Sequence, residues 1–153
     1  MAPKVSVQIV PSRRLAAVRR SVRIREVGSV WKPALDLVWA FLRAHPEVGN
    51  DGQNVFLYHH PASRADPMAV DFGVGVLDPF EPIGEVRPVE TPAGEAAVAV
   101  HVGSYSRINE AHDAIHAWAP ANKREFAGQS MEIYGHWTEN ESKLETTIVY
   151  FLR

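Results

Sequence analysis

The stretch "VGSYSRINEAHDAIHAW" (102–118) decides how this chain is read. A valine-rich run stops at Gly103, and from Ser104 the apolar spacing becomes helical. Ile108, Ala111, Ile115 and Trp118 share one face, with Asn109, Glu110 and Asp113 outside. Seventy-five residues earlier (27 against 102), "VGSV" (27–30) opens a second helical stretch from Ser29 to about residue 45. There Trp31, Leu35, Val38, Trp39 and Leu42 lie on one side, and Val30, Ala34, Leu37 and Phe41 cover much of the other. That spacing predicts a helix covered on two sides, capped by Ser29, with Pro33 tolerated in the first turn.

Strands surround both helices. "KVSVQIV" (4–10) and "RRLAAVRRSVRI" (13–24) precede the first, and "NVFLYHH" (54–60) and "MAVDFGVGV" (68–76) follow it. After a proline-rich crossover (77–88), "GEAAVAVHV" (94–102) precedes the second helix, with Ala96, Val98, Val100 and Val102 on one face. A loop (119–129) leads to "SMEIYGHW" (130–137) and "KLETTIVYFL" (143–152). Leu57-Tyr58 and Ile133-Tyr134 repeat the spacing of the helix openings to within one residue. The expected fold is therefore one α+β domain over 1–153, built from duplicated β-α-β-β units at about 1–77 and 83–153. An antiparallel sheet would carry two helices about a pseudo-two-fold axis, with a central groove that suits a ligand.

Composition narrows the function. The 153 residues suffice for one domain, and at 46% hydrophobic they can bury a core. A net charge of −2 gives no broad basic surface, so direct nucleic-acid binding is not expected. The absence of cysteine removes disulfides and thiolate chemistry. No apolar run has membrane-spanning or signal-peptide length, and a cytoplasmic location with no membrane partner is expected. Phosphate-loop glycine motifs and a G-x-S-x-G elbow are absent, and no cofactor is expected. His112 and His116 have a zinc-compatible i, i+4 spacing, but no H-E-x-x-H accompanies them, and they are not read as a metal site.

"HVGSY" (101–105), a helix ending "AW" (117–118), "MEIY" (131–134) and "TTIVYFLR" (146–153) together resemble the GyrI-like small-molecule-binding domain. That domain is the effector-binding part of multidrug-sensing and AraC-type regulators. The resemblance covers the whole chain and implies an aromatic groove for a hydrophobic, cationic or planar compound. The acid of its E-x-Y motif falls on Glu132 and the tyrosine on Tyr134; the H-x-G-x-Y motif falls on His101, Gly103 and Tyr105. Tyr58, the counterpart of Tyr134 in the first half, and Trp31, near the start of the first helix, complete the candidate ligand-binding set. The resemblance also implies two alternatives: a hydrolase of an electrophilic toxin using Glu132, and a protein-interaction module such as a gyrase modulator. No helix-turn-helix is attached, so a self-contained transcription factor is not expected.

Alternation along "SMEIYGHW" places Glu132, Tyr134 and His136 on one face and Met131, Ile133 and Trp137 on the more core-like other. Glu132 is thus either an exposed strand acid or a carboxylate sheltered among rings. In a pocket its pKa is expected to rise unless a cation arrives. A hydrolase would need a second acid; Asp71 and Glu145 are the candidates, each otherwise a surface residue. The arginines at 13, 14, 19, 20, 23 and 25 read as a solvated edge strand or a surface for an acidic protein partner. Binding rather than catalysis is the expected role. Oligomeric state is not encoded in any of these features.

Overall fold

The computed structural model describes residues 3–63 and 65–153. In chain order it contains β1 (Ser6–Val10), β2 (Arg14–Val22), α1 (Val27–Ala44), β3 (Asn50–His59), β4 (Met68–Val76), β5 (Arg87–Glu90), β6 (Gly94–Val102), α2 (Asn109–Ala121), β7 (Phe126–Tyr134) and β8 (Glu145–Leu152). Eight strands form one antiparallel sheet in the order β1-β6-β8-β7-β3-β4-β2-β5. The order is symmetric about the central β3–β7 pair: β2-β4-β3 on one side answers β6-β8-β7 on the other. The α+β architecture with two helices is as expected. β5 is an extra edge strand that begins at the end of the stretch read as a crossover and runs beyond it to Glu90.

The sheet is curled. Leu15 of β2 belongs to the same buried cluster as Ala96 and Val98 of β6, although four strands separate β2 from β6 in the order. Val55, Leu57, Met131, Val149 and Phe151 from the strands between complete that cluster. These residues are buried although both helices pack on the other face, as expected of a sheet curled over its own interior side. Curling also explains β6, whose Ala96 and Val98 face the interior while Ala97 and Ala99 lie under α2, so both faces are buried. The face that carries Ala96 and Val98 ends in exposed Val100 and Val102.

The helices lie on the outer face. α1 packs on β2 and β4, and α2 on β6 and β8. β3 and β7, between these pairs, are left as the floor of a groove. α1 buries a single stripe, Ala34, Leu35, Val38, Phe41 and Leu42, while Trp31 and Leu37 stay more than a third exposed. The side carrying Val30, Ala34, Leu37 and Phe41 is thus buried only at Ala34 and Phe41, and Trp31, from the other side, borders the groove. Ser29 is not the cap. A 3₁₀ turn (Ile24–Glu26) runs straight into α1, so the helix begins at Val27, and Ser29 donates to the Glu26 carbonyl at 3.0 Å. Pro33 consequently lies inside the helix, on its exposed side, and removes the i→i−4 hydrogen bond to the Ser29 carbonyl. At the far end, α2 extends to Ala121 and β7 starts at Phe126, shortening the expected loop at both ends.

Candidate functional site

Sheet register fixes which side chains meet in the groove. Paired residues of antiparallel strands share a face. Phe72, Phe56, Glu132, Ile148 and Ala99 therefore form one row across β4, β3, β7, β8 and β6 on the helix side. Glu132 sits in the middle of that row, on a floor strand, and is 6% exposed. The adjacent row places Tyr58 opposite Ser130, with Ser130 opposite Tyr150.

Three groups hold the carboxylate. Oε1 accepts hydrogen bonds from Tyr58 Oη at 2.5 Å and Tyr134 Oη at 2.7 Å. Oε2 lies 2.7 Å from His112 Nε2, which reaches down from α2. An ionised carboxylate only accepts, so His112 Nε2 carries the proton. His112 Nδ1 is 2.7 Å from Tyr150 Oη. Burial pushes the Glu132 pKa up, but the hydrogen bond and charge of His112, with the two tyrosine hydroxyls, hold it below the usual carboxylate value. The expected rise does not occur, because the chain supplies its own partner. Burial and the Glu132 charge push Tyr58 and Tyr134 upward, so both phenols stay protonated donors.

A cavity of about 460 Å³ opens above this cluster. Its rings form a connected series: Trp31 to Phe56 (centroids 6.2 Å apart), Phe56 to Tyr134 (4.9 Å) and Tyr134 to Tyr105 (5.5 Å, edge to face). Residues 135–137 turn away from the strand after Tyr134, and Trp137 stands 71% exposed at the cavity rim rather than on the core face. Among the lining residues Glu132 is the sole carboxylate, and none is Lys or Arg.

All five sequence-derived residues, Glu132, Tyr105, Tyr134, Tyr58 and Trp31, line this one cavity. His101 does not; it is buried, with Nε2 2.8 Å from the Ser104 carbonyl, and stabilises the strand-to-helix turn. Gly103 at that turn has φ +131°, a region closed to most L-residues. Asp71 is not a surface residue: it is 1% exposed on the interior face, bound by Arg19 at 2.8 and 2.9 Å and His59 at 2.8 Å. Burial raises its pKa, but these partners outweigh that and lower it. Asp71 pairs with Leu57, and so lies on the opposite face from Glu132. Glu145, opposite Val102, is exposed and lines neither end of the groove. Neither acid joins Glu132.

The sequence reading missed His112 and Tyr150. His112 was legible as a polar residue on the apolar side of α2, an inconsistency that marks a buried partner. His116 Nε2 also approaches Tyr150 Oη, at 3.2 Å, so the two histidines converge on a phenol instead of a metal. Among the described residues no group of three or more His, Asp or Glu is arranged to hold a metal ion, and no helix is long and apolar enough to cross a membrane.

Comparison with known proteins follows the same lines. Residues 3–151 match the GyrI-like small molecule binding domain. Among solved structures, the EcmrR C-terminal domain aligns with a TM-score of 0.82 at 18% identity, over 100% of this chain and 99% of that one. SAV2435, bound to tetraphenylphosphonium, aligns with a TM-score of 0.76 at 14% identity, over 98% and 94%. A hydrolase encoded by lin2189 from Listeria innocua gives 0.63 at 14%, over 98% and 92%. At these identities the likeness is one of fold. None of the curated proteins matches the sequence. With a family match spanning nearly its whole length, the chain belongs to the GyrI-like small molecule binding domain family.

Proposed function

We propose that the protein binds a hydrophobic cation, planar or propeller-shaped, in the cavity above Glu132, as a sensor or sequestering agent. One observation carries this reading: a buried carboxylate lies at the floor of a ring-lined cavity that holds no lysine or arginine. An incoming cation gains Coulomb attraction in a poorly solvated site and about 0.5–2 kcal/mol from ring faces. His112 donates a hydrogen bond to Oε2 while Tyr58 and Tyr134 donate to Oε1, so the carboxylate is held in place beneath the guest. The cavity volume suits a drug-sized molecule.

Ligand binding is favoured over hydrolysis because the cavity offers one carboxylate, and Asp71 and Glu145 lie elsewhere. A protein-interaction role through the outer surface would be indifferent to Glu132. Tetraphenylphosphonium, which SAV2435 binds, is a suitable probe. Calorimetric titration should give saturable binding to wild type and at least about tenfold weaker binding to Glu132→Gln, or about 1.4 kcal/mol. Equal affinity in both proteins removes Glu132 from the site and the reading with it.

A further inference from the structure

A second cavity, about 630 Å³, opens at the other end of the groove. The buried bar of Glu132, His112 and Tyr150 separates the two: Glu132 lines the first, Tyr150 lines the second, and His112 is bonded to both. The two cavities have opposite charge character. Arg23 and Arg25, ahead of α1, face the second from one side, with His60 after β3 and His116 of α2 opposite. Asp66 is its one carboxylate, exposed and in no ion pair among the described residues. The Arg23 guanidinium is anchored by donating to the Ala65 carbonyl at 2.7 Å, while Arg25 forms no ion pair among the described residues. His60 is held against Ser130 Oγ at 2.7 Å, with its ring stacked near Tyr150 at 5.9 Å. Partial desolvation, then the neighbouring His116, His112 and His59, keep its pKa below the ordinary value. Ile24, Pro61 and Met68 add apolar wall, with Ile24 76% exposed.

We propose that this second cavity is a separate binding site for an amphiphilic anion, a carboxylate or sulfonate on an apolar body. Arg25 and Arg23 pair with the anionic group; a guanidinium offers a fork that matches two oxygens of a carboxylate or sulfonate. Ile24 and Met68 take the apolar part. The site stands apart from the cation reading of the first cavity, and each can fail without the other.

The test is calorimetric titration at low salt with 2-naphthalenesulfonate, and with 2-naphthalenemethanol as a neutral analogue of similar size. Wild type should bind the sulfonate more tightly than the alcohol. Arg25→Gln should weaken sulfonate binding about tenfold, Arg25→Lys should retain most of it, and saturating tetraphenylphosphonium should not displace it. Arg25 is exposed, so its variants should keep the wild-type melting temperature; Arg23→Gln gives a second variant with the same expected loss. Absence of sulfonate binding, equal affinity for sulfonate and alcohol, unchanged affinity in both arginine variants, or displacement by tetraphenylphosphonium would each overturn the proposal.

Discussion

His112 Nε2 lies 2.7 Å from Glu132 Oε2, joining the first turn of α2 to the C-terminal part of β7 across the groove floor. The contact makes the candidate ligand-binding acid part of the fold as well as of the cavity. His112→Ala should therefore act on both. Loss of the donor leaves a buried acceptor short of a partner, for about 1–3 kcal/mol of stability at neutral pH, read by chemical denaturation. The Glu132 pKa should rise toward or above its ordinary value, since burial then acts with less opposition.

Acid sensitivity follows from the same carboxylate and from Asp71. Both have folded-state pKa values below their ordinary 4.5 and 3.8. A carboxyl lowered in the folded state contributes stability that is fully present above its unfolded value and is lost as pH falls through the folded value. Melting temperature should thus hold steady down to about pH 5 and fall below it, as these groups take up protons. Glu132→Gln and Asp71→Asn should each flatten that acid limb. An unchanged limb in both would mean that other groups control it.

The two tyrosines bonded to Glu132 should be unequal to their sum. Tyr58→Phe and Tyr134→Phe each remove one donor to the same oxygen, at about 0.5–1.5 kcal/mol apiece. The double variant should lose more than the two singles combined, because Oε1 then has no protein donor. Denaturant titration of the four proteins gives the coupling directly.

Trp137 should matter for binding and not for folding. It is largely exposed at the cavity rim, so Trp137→Ala should leave the melting temperature within about a degree of wild type. A bound cation near its ring face contributes about 0.5–1 kcal/mol, so tetraphenylphosphonium affinity should fall roughly two- to fivefold. Titration fluorescence should also lose the part of its response that comes from this indole.

Gly73→Ala tests the curl of the sheet. A Cβ there would stand 2.9 Å from the Ala16 carbonyl oxygen and 3.1 Å from the Ala17 Cβ, where β2 and β4 cross closely. Backbone shift is the only relief, and about 1–3 kcal/mol of stability should be lost. A neutral result would show the strands able to separate at no cost.

Much of the architecture was legible in the chain. Period-2 and period-3.6 spacing marks strands and helices because each reports which side of a local element meets the core. Hence both helices, most strands and the landmarks at 27–30 and 102–105 could be placed from residues alone. Errors cluster at ends. The cap assigned to Ser29 failed because a preceding 3₁₀ turn lengthened α1, and Trp137 was put on the core face because β7 was carried past Tyr134.

What the sequence determined by itself was that Glu132 and Tyr134 share one face of β7, since alternation commits them to it; that this face, with Tyr58 of β3, meets the groove came from the pairing of the strands and the placement of the helices. Only tertiary structure decided what holds that acid. His112 is 20 residues from Glu132, and Tyr150 is 38 from His112; they meet because α2 crosses β8 at one particular height. Asp71 became an interior ion-paired residue, and not a second groove acid, because the sheet curls and pairs it with Arg19 across β2 and β4. Periodicity describes a residue's side of its own element. Its partner depends on how elements distant in the chain pack together, and no local pattern records that.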